Sequence, residues 1–202
     1  MEECDCWNCD KTSPFQNPID LVRADCFVTK FVAGFRLVDC SAILYHQTLP
    51  QPGRPVLCVV SARHVVHLNA TEYELRQLHW HCPGEHLLDH VLYPLEMHFV
   101  FRSILQDVCV LAVLFREGSR SSPLVSQVLN HQPLDLTALD VLPVFALPGS
   151  LTSGDDKRAI QWLVLEQVQL VATADLEQLR GNAQPARVLQ PRNNRMIVYS
   201  VA

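Results

Sequence analysis

Eight apolar residues in a row, VCVLAVLF from Val108 to Phe115, set the main constraint on this chain. The run falls far short of the roughly 18 apolar residues that cross a bilayer. Its valines suit an extended backbone. A strand that is apolar on both faces has to be covered on both, so it belongs inside a sheet rather than at an edge. Similar short runs, split by Pro, Gly and polar turns, lie on either side: Cys26–Val32, Phe35–Leu37, Ala42–Tyr45, Val56–Val60, Leu75–His81, Tyr93–Phe101, Gln161–Leu165, Val168–Val171 and Met196–Val201. Runs of this length and composition read as strands. The segments LPQPGRP and LPGSLTSGDD read as loops.

Two helices are predicted. Ser122-Pro123 supplies an N-cap and a proline at the first helical position, followed by Leu124, Val125, Val128 and Leu129 at helical spacing. Thr173 is expected to cap Ala174–Arg180, with Gly181 as the stop. There is no internal repeat and no domain break. The expected architecture is mostly β with short helices (α+β), a single domain over residues 16–202 on one large sheet. Residues 1–15 are expected to form a flexible, Cys-containing tail.

With 202 residues and 49% hydrophobic content the chain can build a sizeable core. Its net charge of −5 and scattered basic residues exclude a phosphate-binding stripe, so no nucleic-acid partner is expected. No signal-peptide pattern and no membrane span are read, and a reducing, cytoplasmic setting follows. Of eight cysteines, Cys26, Cys40, Cys58 and Cys109 sit among apolar neighbours like free buried thiols. Cys4, Cys6 and Cys9 form C-x-C-x-x-C in the tail, with no evident fourth ligand.

Five of the nine histidines fall between Gln77 and Phe99. Alternate residues of a strand share a face, so Gln77, His79 and His81 point one way. Glu96, His98 and Val100 share a face in the next strand. If the two strands are antiparallel neighbours, His79, His81 and His98 converge. Three neutral imidazoles suit zinc at about 2.0–2.1 Å, and an open fourth position would make the site catalytic. Gln77 and Glu96 have the chemistry to accept the second N–H of such ligands. On spacing alone, three unrelated histidines stand as an equal alternative.

The same stretch, LHWH…GEHLLD…YPLEMHFV, resembles the zinc-binding core of the α-class carbonic anhydrases, FHFHWG…SEHTVD…Y–ELHLVHW. FQNPIDL resembles QSPIDI, LPGSLTS…IQWLVLEQVQL resembles YPGSLTTPP…VTWIVLKEPI, and ARVLQPRNNRMIVYS resembles WRPAQPLNNRQI–AS, all in the same order. The resemblance runs from Gln16 to about Tyr199. It implies a twisted, mainly antiparallel central sheet and a Zn²⁺ cofactor held by His79, His81 and His98. It implies reversible hydration of CO₂ to bicarbonate by a zinc-bound hydroxide. Thr152 and Glu85 fall on the pair that orients the hydroxide. Val100, Val110, Leu151 and Trp162 fall on the apolar substrate wall, and Ser153 on a second active-site hydroxyl. CO₂ and bicarbonate are then the partners, and the chain is expected to act as a monomer.

The pattern also departs from the family. The chain is short, and the aromatic N-terminal lead-in is reduced to Trp7. Arg54 stands where the proton-shuttle histidine is expected, and arginine cannot release a proton near neutrality. Turnover is therefore expected to be slow. His46, His64 and His67 read as surface histidines. Cys82, the V-F-R-S of Val100–Ser103 and the Thr152-Ser153-Gly154-Asp155 turn replace family residues close to the metal. Leu147 replaces a tyrosine, which leaves His86 without an expected partner. Asp156 lies where secreted members carry a disulfide cysteine. The alternative is a catalytically weak or inactive binding module on the same fold, such as an attachment protein.

Overall fold

The computed structural model describes residues 13–30, 35–48, 55–60, 64–68, 70–152 and 159–201. Among these, twelve strands form one mixed sheet. Its main path runs Phe27–Thr29, Val198–Ser200, Val144–Gly149, Ile160–Leu165, Val108–Gly118, Leu95–Ser103, Thr71–His81, Val56–Val59 and Tyr45–Thr48. The Val108–Gly118 strand lies mid-sheet, as its apolar run requires. It is antiparallel to Leu95–Ser103 and parallel to both Ile160–Leu165 and Gln169–Ala172.

The pleat divides this central strand between two cores. Cys109, Leu111, Val113 and Phe115 enter one, with Met97, Phe99 and Phe101 from the neighbouring strand. Leu124, Val125, Val128, Leu176 and Leu179 of the two helices cover that face. Val108, Val110, Ala112 and Leu114 enter the other core with Val100, Phe145, Leu147, Leu151 and Trp162. Each large apolar side chain fully buried here contributes roughly 1.5–3 kcal/mol. The histidines lie on the second face, away from the helices.

The Thr71–His81 strand carries one extra residue. It pairs Gln77 with Val100 but Leu75 with Phe101, which leaves Arg76 unpaired in that ladder. The bulge resets the alternation, so Leu75 joins Leu78 and Trp80 in the helix-covered core while Gln77, His79 and His81 hold the opposite face. The outer neighbour of the strand also changes here, from Val56–Val59 at Gln77 and Leu78 to Val65–Leu68 at Thr71–Glu74.

Several expectations need correction. Val65–Leu68 is a strand that the run pattern missed. The strand expected from Ala42 begins at Tyr45, because Ala42 has φ 49° and Ile43 bridges to Leu134. Leu147-Pro148-Gly149 is not loop but the end of Val144–Gly149. Pro148 carries no N–H, yet its carbonyl still accepts from Arg195. Both helices form, as Pro123–Leu129 and Thr173–Arg180, but neither has a side-chain cap. Thr173 is the first helical residue, and its hydroxyl donates to Glu117 instead. Gly181 ends its helix without a left-handed turn, at φ −58°.

The packed body already includes Ser13, which is buried and donates to the Phe15 carbonyl. Cys40 and Cys109 are buried thiols, while Cys26 and Cys58 are only half-buried. Cys4, Cys6, Cys9, Trp7 and Arg54 lie outside the described residues. No helix among the described residues is long and apolar enough to cross a membrane.

Candidate metal centre

The two histidine strands are antiparallel neighbours, with His98 directly opposite His79 and Glu96 opposite His81. The three imidazoles therefore meet. Ring centroids lie 5.3 Å apart for His79–His81, 5.2 Å for His79–His98 and 4.8 Å for His81–His98. Each offers a ring nitrogen, and the three nitrogens lie within 4.8 Å of one another.

Hydrogen bonds fix which nitrogens are free on His98 and His81. Nε2 of His98 lies 2.8 Å from Glu96 Oε1, so it carries the hydrogen and leaves Nδ1 bare. Nδ1 of His81 lies 3.2 Å from the Pro185 carbonyl, so its Nε2 is bare, and that buried atom has no partner. His79 Nδ1 is also buried without a partner. Gln77 shares the His79 face but makes no hydrogen bond to that nitrogen.

Burial, then the neighbouring imidazole of His98, drive His79 well below its ordinary pKa, and the same causes bring His81 to about 3. Both are neutral at physiological pH. Buried, neutral imidazoles with orphaned ring nitrogens are a donor set that fits Zn²⁺.

Glu96 anchors the cluster. The loop after His81 turns back through Gly84, where a Cβ would lie 3.1 Å from both Glu96 Cβ and the Tyr93 carbonyl. That close approach brings the Glu85 and His86 amides to Glu96 Oε2, at 2.7 and 2.8 Å. His86 Nδ1 joins His98 at Oε1, at 2.7 Å. Burial alone would raise the pKa of this carboxyl, but His86 and His98 pull it well below the usual range.

His86 does not lack a partner. Its Nε2 lies 2.8 Å from Asn17 Nδ2, which meets the need left open by Leu147.

Glu85 is the second buried carboxylate. The Arg187 amide donates to its Oε1 at 2.7 Å, while Oε2 lies 3.4 Å from His81 Nε2. Burial pushes its pKa up, and His98, the Thr152 hydroxyl and the Arg187 amide pull it part of the way back. Oε2 still lacks a partner at full hydrogen-bonding distance. Thr152 is itself buried.

Trp162 packs against His98 and His86, with centroids at 4.9 and 4.8 Å. It shares one buried cluster with Val100, Val110 and Leu151. Ser153 lies outside the described residues. His64 is buried, with Nδ1 on the Asp39 carbonyl, so it is not a surface histidine; His46 is exposed and His67 half-buried.

A family model described as eukaryotic-type carbonic anhydrase matches residues 3–201. The chain belongs to this carbonic anhydrase family. Alpha carbonic anhydrase 3 of Arabidopsis thaliana is 28% identical over 151 residues, 64% of this chain and 54% of that relative. The chain thus spans about half the length of that carbonic anhydrase. The solved Photobacterium profundum alpha-carbonic anhydrase has a TM-score of 0.78 and 25% identity, covering 91% of this chain and 88% of its own. Dioscorin, solved in complex with ascorbate, shares the fold at a TM-score of 0.81 with 22% identity, over 93% of this chain and 87% of its own.

Sequence reasoning missed Asn17, Arg187, Arg195 and the Pro185 carbonyl. Asn17, Arg187 and Arg195 sit inside FQNPIDL and ARVLQPRNNR, both matched as family stretches. Their polarity within otherwise packed segments was the available signal.

Proposed function

We propose that the chain is a zinc-dependent carbonic anhydrase that interconverts CO₂ and bicarbonate, with His79, His81 and His98 as ligands. The observation that carries this reading is the convergence of three imidazoles whose ring nitrogens lie within 4.8 Å, two of them with a hydrogen bond on the far nitrogen. A Zn²⁺ ion bound there supplies a Lewis acid that makes water a nucleophile near neutral pH.

The chain's own residues do the rest. Glu85, as an anion, accepts the Thr152 hydroxyl hydrogen and leaves the Thr152 oxygen to accept from the attacking water. The Arg187 amide holds the carboxylate in place for that task. Val100, Val110, Leu151 and Trp162 present an apolar wall that suits an uncharged linear gas. With Arg54 in place of a shuttle, proton export limits the rate, and imidazole buffer restores it.

Zinc stoichiometry paired with stopped-flow CO₂ hydration tests the reading. One zinc per chain with imidazole-dependent turnover is expected, and His98→Ala should lose both. Zinc binding without any turnover would sink the enzyme assignment and favour a binding role for the scaffold. Failure to bind zinc would sink the metal centre itself.

A further inference from the structure

Behind the three imidazoles a single chain of hydrogen bonds crosses the protein. Arg195 Nη1 donates to Asn17 Oδ1 at 2.6 Å. Asn17 Nδ2 meets His86 Nε2 at 2.8 Å, His86 Nδ1 meets Glu96 Oε1 at 2.7 Å, and His98 Nε2 meets the same oxygen at 2.8 Å. Asn17, His86 and Glu96 are fully buried, and Arg195 and His98 are 1% exposed, so water cannot substitute for any link.

We infer that Asn17 is a positioning residue for the metal ligand His98, acting through His86 and Glu96. The inference rests on the metal-centre reading above. Each link forces the next. Guanidinium only donates, so it selects the oxygen of the Asn17 amide and turns the NH₂ toward His86. His86 Nε2 must then accept, so its hydrogen sits on Nδ1 and is given to Glu96. Glu96 is held by two side-chain and two backbone donors, so its Oε1 stays where His98 Nε2–H finds it. That leaves His98 Nδ1 bare and aimed at the shared site.

The amide is locked in place as well as in polarity. The backbone N–H of Asn17, separate from this side-chain amide, donates to Ser150 Oγ at 3.2 Å. At Gly149 a Cβ would sit 2.1 Å from Asn17 Oδ1, so only glycine admits the amide.

The full chain is tested by long-range ¹⁵N–¹H spectra of its imidazoles and by zinc competition against a chelator. In the zinc-free parent, His86 should carry hydrogen on Nδ1 and be bare at Nε2. A parent His86 with hydrogen on Nε2 overturns the inference, whichever variants fold. Asn17→Asp is nearly isosteric and keeps an oxygen for Arg195, but it replaces the donor facing His86 with an acceptor. His86 should then carry hydrogen on Nε2, and zinc affinity should weaken about 10-fold, as expected for partners of metal ligands.

Unchanged zinc affinity in a folded Asn17→Asp protein also overturns the inference. Ser150→Ala separates positioning from plain stability. It should lower the unfolding midpoint while leaving the His86 spectrum and zinc affinity as in the parent. If it weakens zinc as much as Asn17→Asp, the role is only structural. If the parent binds no zinc, the functional proposal fails, and the spectrum of the zinc-free chain still decides the direction of the relay.

Discussion

Replacing Glu96 by Gln should cost more stability than almost any other isosteric change in this protein. The carboxylate accepts four hydrogen bonds, two at each oxygen. An amide offers one oxygen and one NH₂ group. If its nitrogen takes the Oε2 place, the Glu85 and His86 amides face a donor. If it takes the Oε1 place, the His86 and His98 side chains do. Neither rotamer escapes, because all four partners are donors in the parent. Two hydrogen bonds to a charged acceptor are lost, each worth about 1.5–3 kcal/mol, and relief from burying the charge returns part of that. A net loss of about 3–4 kcal/mol is expected, a large fraction of the ~5–15 kcal/mol that holds a domain together. Urea unfolding of the zinc-free Glu96→Gln and parent chains measures it without metal linkage. A loss below about 1 kcal/mol would show that the carboxylate is not the hub described above.

Three further outcomes follow. Thr152→Val should retain zinc but lose much of the hydration rate, Thr152→Ser should lose less, and a fully active Thr152→Val would refute the orienting role. Gly149→Ala should cost about 3 kcal/mol or more by forcing Asn17 and Trp162 apart, read as an unfolding midpoint. The zinc-free chain should also weaken on mild acidification. Burial lowers the folded pKa of His79 and His81, the latter to about 3, whereas the unfolded chain protonates both near 6.5. Their stabilisation is complete above about pH 6.5 and is lost as pH falls toward 3, at up to about 2.7 kcal/mol per pH unit for two imidazoles. A denaturation midpoint that rises between neutral pH and about pH 5 would contradict this.

The sequence exposed the site best where side-chain period and burial coincide. His79 and His81 alternate in a regular strand, and Glu96 and His98 do the same, so their convergence followed from antiparallel pairing. The Val108–Gly118 strand was legible because both of its faces are core. Val65–Leu68 was missed because it is short and a histidine at its third position interrupts its apolar character. The helix caps misled because Ser122 and Thr173 have capping chemistry, yet local packing gave Thr173 a different acceptor and left the Ser122 hydroxyl without one. Asn17 and Arg195 lie 178 residues apart. No local pattern announces a pairing that only the folded chain creates.

The extra residue at Arg76 works as an expansion joint. On one side of it the strand keeps step with Glu96, His98 and Val100; on the other it follows Phe101, Arg102 and Ser103 in a separate count. Excising Arg76 would leave a regular ladder with every imidazole still in register. One residue inserted between Gln77 and His81 would turn Gln77 away from its present face. A one-residue deletion at Arg76 therefore leaves the pairing with Glu96 and His98 intact, whereas a one-residue insertion a few positions later breaks the face the imidazoles share.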